Sequence, residues 1–466
     1  MRSGGPTPDG ARRKEAILDH DACILLPRAR GPLRGTVDVP GDKSVSHRAA
    51  LFGLLANGPC RARGWLASAD TLASLAAVRT LGAAVVHEGD TITVTPPPAR
   101  PQGDFDIDCG NSGTTARLLC GLLAGWLPAG AAVTLRGDAS LSGRPMNRVV
   151  EPLRRMGADI AFLGTDGRLP LRVTGAPLTG VHHDLPVPSA QVKSALLLAG
   201  LGAAGVTSLS GAGTSRDHTE LLLHTMGVPC APAAPGPELA VTGGARPGAF
   251  DIRVPADPST AAFFHVAAAL VPGSDVLTPN LSLNPTRIGA LQVLRRAGAV
   301  VAVERPSGPS GGEALGDVRV RSGTLRPFTI GAADIPALVD EIPVLAVLAT
   351  AAPGVSRITG AAELRVKESD RLALMTRDLV RLGAAVTELP DGLEITGPSA
   401  LKGGAERPTL LETAGDHRIA MAMAVAALVA EGDSELDDRD CVAVSFPEFF
   451  TAWDRILGNG TSDRPF

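Results

Sequence analysis

Tyrosine is missing altogether from this 466-residue chain, tryptophan occurs three times, and aromatic residues make up only 3%. So few rings exclude a stacking platform for single-stranded nucleic acid. An excess of either charge is missing too: 44 Lys and Arg face 48 Asp and Glu, a net charge of −4. With no broad basic field, no nucleic-acid partner is expected, and anion-binding cations must be clustered locally. The six cysteines include no C-x-x-C pair and read as reduced, mostly buried thiols. The nine histidines show no H-E-x-x-H or other metal spacing, and no G-x-S-x-G elbow occurs. No segment joins a charged start, an apolar run and a cleavage site, and no apolar run is clean enough to span a bilayer. These absences predict a soluble, cytoplasmic protein with no metal and no membrane partner.

What is present is repetition. Val37 to Gly58, "VDVPGDKSVSHRAALFGLLANG", lies over Ile252 to Gly273, "IRVPADPSTAAFFHVAAALVPG", without a gap. Val39-Pro40, Asp42, Ser44 and Gly58 recur as Val254-Pro255, Asp257, Ser259 and Gly273, so these positions are assigned to the fold: strand, turn, helix cap and helix stop. Lys43, His47 and Arg48 have no counterpart, since Pro258, Ala262 and Phe263 stand there. The first copy thus carries three polar or basic residues that the scaffold does not require.

A finer period underlies the duplication. Amphipathic stretches end at Gly82, Gly157, Gly227, Gly298, Gly383 and Gly458, and β-prone hairpin patterns follow most of them. Before each lies a stretch apolar on all sides, which must be a buried helix. The reading is six β-α-β-α-β-β units of about 75 residues, too long for most solenoid repeats. The fold class expected is α/β, with three units per domain. The first domain is placed at 42–256 and the second at 22–41 plus 257–466, with a flexible tail at 1–21. Short Pro-containing crossings near Pro40-Gly41 and Pro255-Ala256 would serve as hinges.

Nearly every buried helix opens with a polar cluster: Lys43-Ser44, Asn111-Ser112, Ser189-Ala190-Gln191, Asp340-Glu341 and Asp416-His417-Arg418. Capping explains Asp, Ser and Asn. It does not explain Lys43, Arg48, Arg117, Lys193 and Arg418, because a cation there opposes the helix dipole, whereas an anionic ligand would favour it. Arg144 precedes Pro145, read as the first residue of a helix on which Arg148, Arg154 and Arg155 are solvated. In "LRVKESDRLALM" a helical reading brings Lys367, Glu368, Asp370 and Arg371 within ion-pair spacing, worth a few tenths of a kcal/mol each. "TSRDHTE" reads as a capped helix start, or as a phosphate clamp through Ser215 and Arg216. His47 and His417 suit a structural hydrogen bond as well as acid–base work.

Taken in order, "PGDKSVSHRA", "GNSGTTARLL", "GRPMNRVVEPL", "PSAQVKSALLLAGL", "TSRDHTE", "DPSTAAFF", "NPTRIGAL", "LVDEIPVLA", "LRVKESDRL", "GDHRIAMA" and "SFPEFF" resemble the enolpyruvyl transferase family, and most closely its members acting on shikimate 3-phosphate. The resemblance spans Val37 to Phe450. It implies a two-domain inside-out α/β barrel with parallel buried helices, no metal or organic cofactor, and a monomer. It implies phosphoenolpyruvate and shikimate 3-phosphate as substrates, joined through a tetrahedral ketal with release of phosphate, and glyphosate as an occupant of the phosphoenolpyruvate site. Lys43, Gly113, Arg144, Gln191, Arg371 and Arg418 would hold phosphoenolpyruvate. Lys43, Ser44, Arg48, Ser189, Gln191, Ser215, Arg216, Asp340 and Lys367 would hold shikimate 3-phosphate. Asp340, Glu368 and Lys43 would be catalytic, Asp340 accepting the 5-hydroxyl proton and Glu368 shuttling the proton at C3. Two features depart from the pattern: Val444 stands where many relatives have lysine, and Ser189-Ala190 replaces a serine doublet. A transferase for UDP-N-acetylglucosamine, or a paralogue with another acceptor, shares the fold and chemistry. The former would have Ala-Lys-Asn-Ala at the first helix and a cysteine near residue 130, neither of which occurs here.

Overall fold

The computed structural model describes residues 23–213, 215–230 and 238–458. The tail expected at 1–21 lies outside them. All six apolar stretches form helices: Lys43–Phe52, Gly113–Trp126, Ala190–Gly200, Pro258–Leu270, Ile342–Thr350 and His417–Val429. The amphipathic partners are Ala69–Thr80, Asn147–Arg155, His218–Thr225, Gly289–Arg296, Arg371–Arg381 and Phe449–Ile456. The six glycines beyond them have φ between +73° and +99°, a region L-residues with a Cβ rarely enter.

Each unit contributes one sheet. Four sheets have four strands, while those of the third and sixth units have three among the described residues. In the third, residues 231–237, outside the described set, fall between the His218–Thr225 helix and the last strand, Leu239–Thr242. The hairpin expected to close the sixth unit is absent from the described residues. Instead Ile24–Leu25 pairs antiparallel with Ser434–Leu436 and covers that edge.

Strands are exchanged at the two crossings. Arg34–Thr36, just before the first buried helix, pairs with Asp275–Ser282, whereas Asp251–Arg253 returns to pair with Cys60–Arg63. The crossings run side by side: the Asp42 amide donates to the Pro255 carbonyl (2.7 Å) and the Asp257 amide to the Pro40 carbonyl (3.0 Å). Asp42 and Asp257 cap their helices as the duplication predicts, and the buried Arg287 guanidinium binds both carboxylates, at 2.9 and 2.7 Å. The helix stop differs from expectation. The first helix ends at Phe52, not near Gly58, and its C-cap Gly53 is so close to the sheet that a Cβ would lie 2.6 Å from Val94.

Two hydrophobic cores form, one from residues between Val45 and Val254, the other from Leu26, Leu33, Val37 and residues between Ala256 and Ile456. Among the described residues we infer from these cores the division expected from the sequence, with one shift: Ala256, expected in the first domain, packs in the second core. No helix among the described residues is long and apolar enough to cross a membrane.

Candidate active site

The polar starts of the buried helices supply the site. Ser112, Ser189 and Asp416 accept hydrogen bonds from the first-turn amides of their helices. The cap positions therefore satisfy local backbone, and the cations beside them need other partners.

Asp340 lies where side chains from both halves meet. Its carboxylate is 2.7 Å from Arg216 Nη2 of the first half, 3.6 Å from Arg371 Nη1 and 3.8 Å from Arg418 Nη2. Burial pushes this carboxyl up, but Arg418, Arg216, Lys367 and Arg371 pull harder and hold it well below the usual range. Glu341, the next residue, goes the other way. It is buried with the Ser259 hydroxyl against one oxygen, and burial raises its carboxyl.

Glu368 makes a second link across the cleft, 2.7 Å from Arg371 and 3.5 Å from Arg144 of the first half. Burial raises it, yet Arg371, His417, Arg144 and Lys43 together bring it well below its ordinary value. Arg371 is 1% exposed and is anchored behind by Asp416 at 2.8 Å, so its direction is fixed. Arg144 is fixed by Asn111 (2.5 Å) and Ser140 (3.1 Å). It lies in a loop, since the helix starts at Asn147 and Pro145 stands before its cap, not at its first turn. Arg148 is exposed, as expected, and sits 3.6 Å from Glu363 of the other half.

In the first half, Lys43 Nζ is 3.0 Å from Asp70. Arg48 is buried but has only neutral acceptors: Thr219 Oγ1 (2.7 Å), Ser194 Oγ (2.8 Å) and the Ser44 carbonyl (3.0 Å). Arg117 is alike, donating to Gln191 Oε1 (2.9 Å) and the Pro145 carbonyl (3.2 Å). Burial, then Arg148 and Arg144, brings Arg117 down to about 9. Neither guanidinium has a carboxylate within 4 Å among the described ion pairs, as anion-binding groups would be left. Lys193 differs from expectation: Glu220 at 2.5 Å neutralises it, so a ligand is not needed to explain it.

The structure thus gathers Lys43, Arg48, Gly113, Arg144, Gln191, Ser215, Arg216, Asp340, Glu368, Arg371 and Arg418 around facing helix starts. Ser44 contributes its carbonyl and Ser189 its cap. Lys367 binds Glu363 at 3.1 Å while its charge acts on Asp340. The helical ion-pair reading of 367–371 is corrected: a 3-10 turn covers Ala362–Val366 and the helix starts only at Arg371. Of the expected pairs only Glu368–Arg371 forms, and Asp370 caps that helix and pairs with Arg365. His47 bonds to Ser74 at 2.8 Å, whereas neither ring nitrogen of buried His417 has a partner. Sequence reasoning left Asp70, Thr219, Ser194 and Arg287 out; their partners are too remote in the chain to show a spacing. Arg117 carried a signal, a cation in a helix's first turn, but was not assigned a ligand. Among the described residues no three His, Cys, Asp or Glu converge as a metal site requires.

The profile of the EPSP synthase (3-phosphoshikimate 1-carboxyvinyltransferase) family matches residues 27–453. A 3-phosphoshikimate 1-carboxyvinyltransferase of Anaeromyxobacter sp. (strain Fw109-5) is 51% identical over 440 residues, 94% of this chain and 99% of that protein. One from Shouchella clausii (strain KSM-K16) is 45% identical, covering 91% and 97%. An EPSP synthase structure from Acinetobacter baumannii superposes with a TM-score of 0.81 at 37% identity, over 93% of this chain and 98% of that one. With two α/β halves joined by ion pairs between arginines and carboxylates, and with relatives matched over nearly its whole length, the chain belongs to the EPSP synthase family of enolpyruvyl transferases.

Proposed function

We propose that the chain transfers the enolpyruvyl group of phosphoenolpyruvate to the 5-hydroxyl of shikimate 3-phosphate and releases phosphate. The observation that carries the reading is Asp340, whose carboxylate touches Arg216 of the acceptor set and lies beside Arg371 and Arg418 of the phosphoenolpyruvate set. Two unit negative charges 5 Å apart repel by roughly 3 kcal/mol at an effective dielectric near 20. Two multiply charged anions meet only where several fixed cations offset that repulsion, and this cleft supplies them from both sides.

In the proposed reaction the acceptor oxygen bonds to C2 of the enol phosphate, Asp340 takes the hydroxyl proton, and Glu368 delivers a proton to C3, giving the tetrahedral ketal. Glu368 then takes a proton back from the C3 methyl as the bond from C2 to the phosphate oxygen breaks, which restores the double bond in the enol ether product and releases phosphate. Asp340 is ionised and so free to accept, and substrate anions on Arg216, Arg371 and Arg418 would offset the cations that now weaken it as a base. Glu368 must first gain a proton. The cations that hold it ionised are Arg371, Arg144 and Lys43, with His417 beside them. Phosphoenolpyruvate on those cations would cancel their pull and leave burial, which favours the protonated acid. Arg48, Ser215, Arg216 and Lys367, with Ser44, Ser189 and Gln191, would hold the acceptor. Arg144, Arg371, Arg418, Lys43, Gln191 and the backbone at Gly113 would hold phosphoenolpyruvate. The proposal includes a cytoplasmic site of action and a monomer.

A phosphate-release assay tests this. Phosphate should appear with shikimate 3-phosphate plus phosphoenolpyruvate and not with UDP-N-acetylglucosamine as acceptor. Release only with the latter, or with neither, would overturn the reading.

A further inference from the structure

One polar cluster outside the candidate site crosses between the halves. Strands Val300–Ser310 and Glu313–Arg321 form a hairpin of a second-half sheet whose tip reaches the first half. There Ser310 Oγ accepts from the Arg253 amide at 2.7 Å. A Cβ on Gly312 would come within 3.0 Å of Leu221, so the tip lies directly on the His218–Thr225 helix.

Just past the tip, Glu313 points inward and is 2% exposed. One carboxylate oxygen accepts from His218 Nδ1 at 2.6 Å and the other from Asn284 Nδ2 at 3.0 Å. Asn284 also donates to Asp217 at 2.7 Å, and Thr286 donates to the same oxygen at 3.3 Å. His218 and Asn284 are each 2% exposed. Asp217 is the cap residue of its helix but makes no side-chain cap bond there. The second half holds its carboxylate instead.

The clamped turn carries acceptor-binding candidates on both sides. Arg216 precedes Asp217 and reaches Asp340 at 2.7 Å. Thr219 follows His218 and accepts from Arg48 Nε at 2.7 Å. We propose that Glu313 is a positioning residue for the acceptor half of the site: through His218, Asn284 and Asp217 it fixes the turn that aims Arg216 and buttresses Arg48. It touches neither substrate. Hydrogen bonds to a buried carboxylate are among the stronger ones, so the turn's register depends on a strand of the other half. Phosphoenolpyruvate, held by Arg144, Arg371 and Arg418, depends on it less.

The proposal rests on shikimate 3-phosphate being the acceptor, and its test separates the two. The wild-type protein is first assayed with both substrates; no turnover would overturn the assignment of the acceptor, whatever the variants do. With turnover established, Glu313→Gln should raise the KM for shikimate 3-phosphate at least fivefold while leaving that for phosphoenolpyruvate within twofold. Asn284→Ala keeps the His218 contact and should shift the same KM less, which preserves the test if the first variant fails to accumulate. Combining the two should give less than the product of the single effects. Equal rises in both KM values, or a lowered Tm with neither KM changed, would overturn the clamp and leave a purely structural contact.

Discussion

Asp340 and Glu341 are adjacent in the chain, yet their surroundings drive their carboxyls in opposite directions. Burial outweighs the cations near Glu341, while at Asp340 four neighbouring cations outweigh burial. Asp340→Asn preserves shape while removing the proton acceptor, and turnover should fall by about 10² or more. Alanine would be a poorer probe, because it also removes the side-chain oxygen that Arg216 donates to. Steady-state phosphate release decides this, and near-native turnover would remove Asp340 as the base. Gly113 offers a second test at this scale. A Cβ there would lie 2.7 Å from Arg117 Nη1 and 3.5 Å from Arg144 Nη1, so Gly113→Ala pushes guanidinium groups into the ligand space. Glyphosate is longer than phosphoenolpyruvate. Its inhibition constant should rise about tenfold, near 1.4 kcal/mol, with a smaller change in the phosphoenolpyruvate KM. Equal losses would show that the methyl does not discriminate between them. Lys43, Arg48 and Arg418 were legible in the sequence because each lies near the start of a buried helix, where the dipole opposes a cation. Arg144 in its loop and Lys367 in its turn were assigned ligands only through the family resemblance. The partners of such cations were not legible: Lys193 and Glu220, or Arg48 and Thr219, meet only once distant helices pack.

Buried helices announce themselves by being apolar all round, which is why all six could be read directly from the sequence. Their ends were less legible. Close approach of Gly53 to Val94 shortens the first helix, and the run from Lys367 to Asp370 is a turn although its spacing suits a helix. The repeat also hid how its copies are joined. Arg287 pins the caps of two buried helices through Asp42 and Asp257, which lie 245 and 30 residues away. Removing one member of a buried ion network typically costs about 3–5 kcal/mol, because the remaining charges stay desolvated. Arg287→Ala should therefore lower unfolding stability by about that amount in a urea titration. A loss below about 1 kcal/mol would mean that water reaches the hinge and replaces the guanidinium.

At the level of the molecule, Arg216–Asp340, Arg144–Glu368 and Arg148–Glu363 hold the halves together across the cleft. If Arg216 and Arg144 hold the anionic substrates as proposed, closure on ligands would replace their cross-half pairs with tighter ones. Small-angle scattering should show a smaller radius of gyration with shikimate 3-phosphate plus an unreactive phosphoenolpyruvate mimic than without ligand at high salt. An unchanged radius would argue against the clamp. Stability should depend on pH through four histidines. Burial holds His183 down to about 4 and His265 to about 3, and burial followed by Lys43 lowers His47 and His417 well below their usual value. A group depressed in the folded state contributes fully above its unfolded value, near 6.5, and loses that contribution as pH falls, by up to about 1.4 kcal/mol per unit per ring. The raised carboxyls of Glu341 and Asp378 act in the opposite sense and offset part of this. Tm should be flat between about pH 7 and 8 and fall towards pH 5; a flat profile down to pH 5 would show that these rings are protonated inside the fold. The exchanged strands also set a timetable for biosynthesis. Arg34–Thr36 leaves the ribosome long before Asp275–Ser282, and Ile24–Leu25 must wait for Ser434–Leu436, about 410 residues later. At about 5–20 residues per second that wait lasts on the order of tens of seconds, while the first half completes its own sheets once Asp251–Arg253 has emerged. Two strands made before the whole first half are thus paired only after it, and until then they trail from a finished neighbour as unpaired edges.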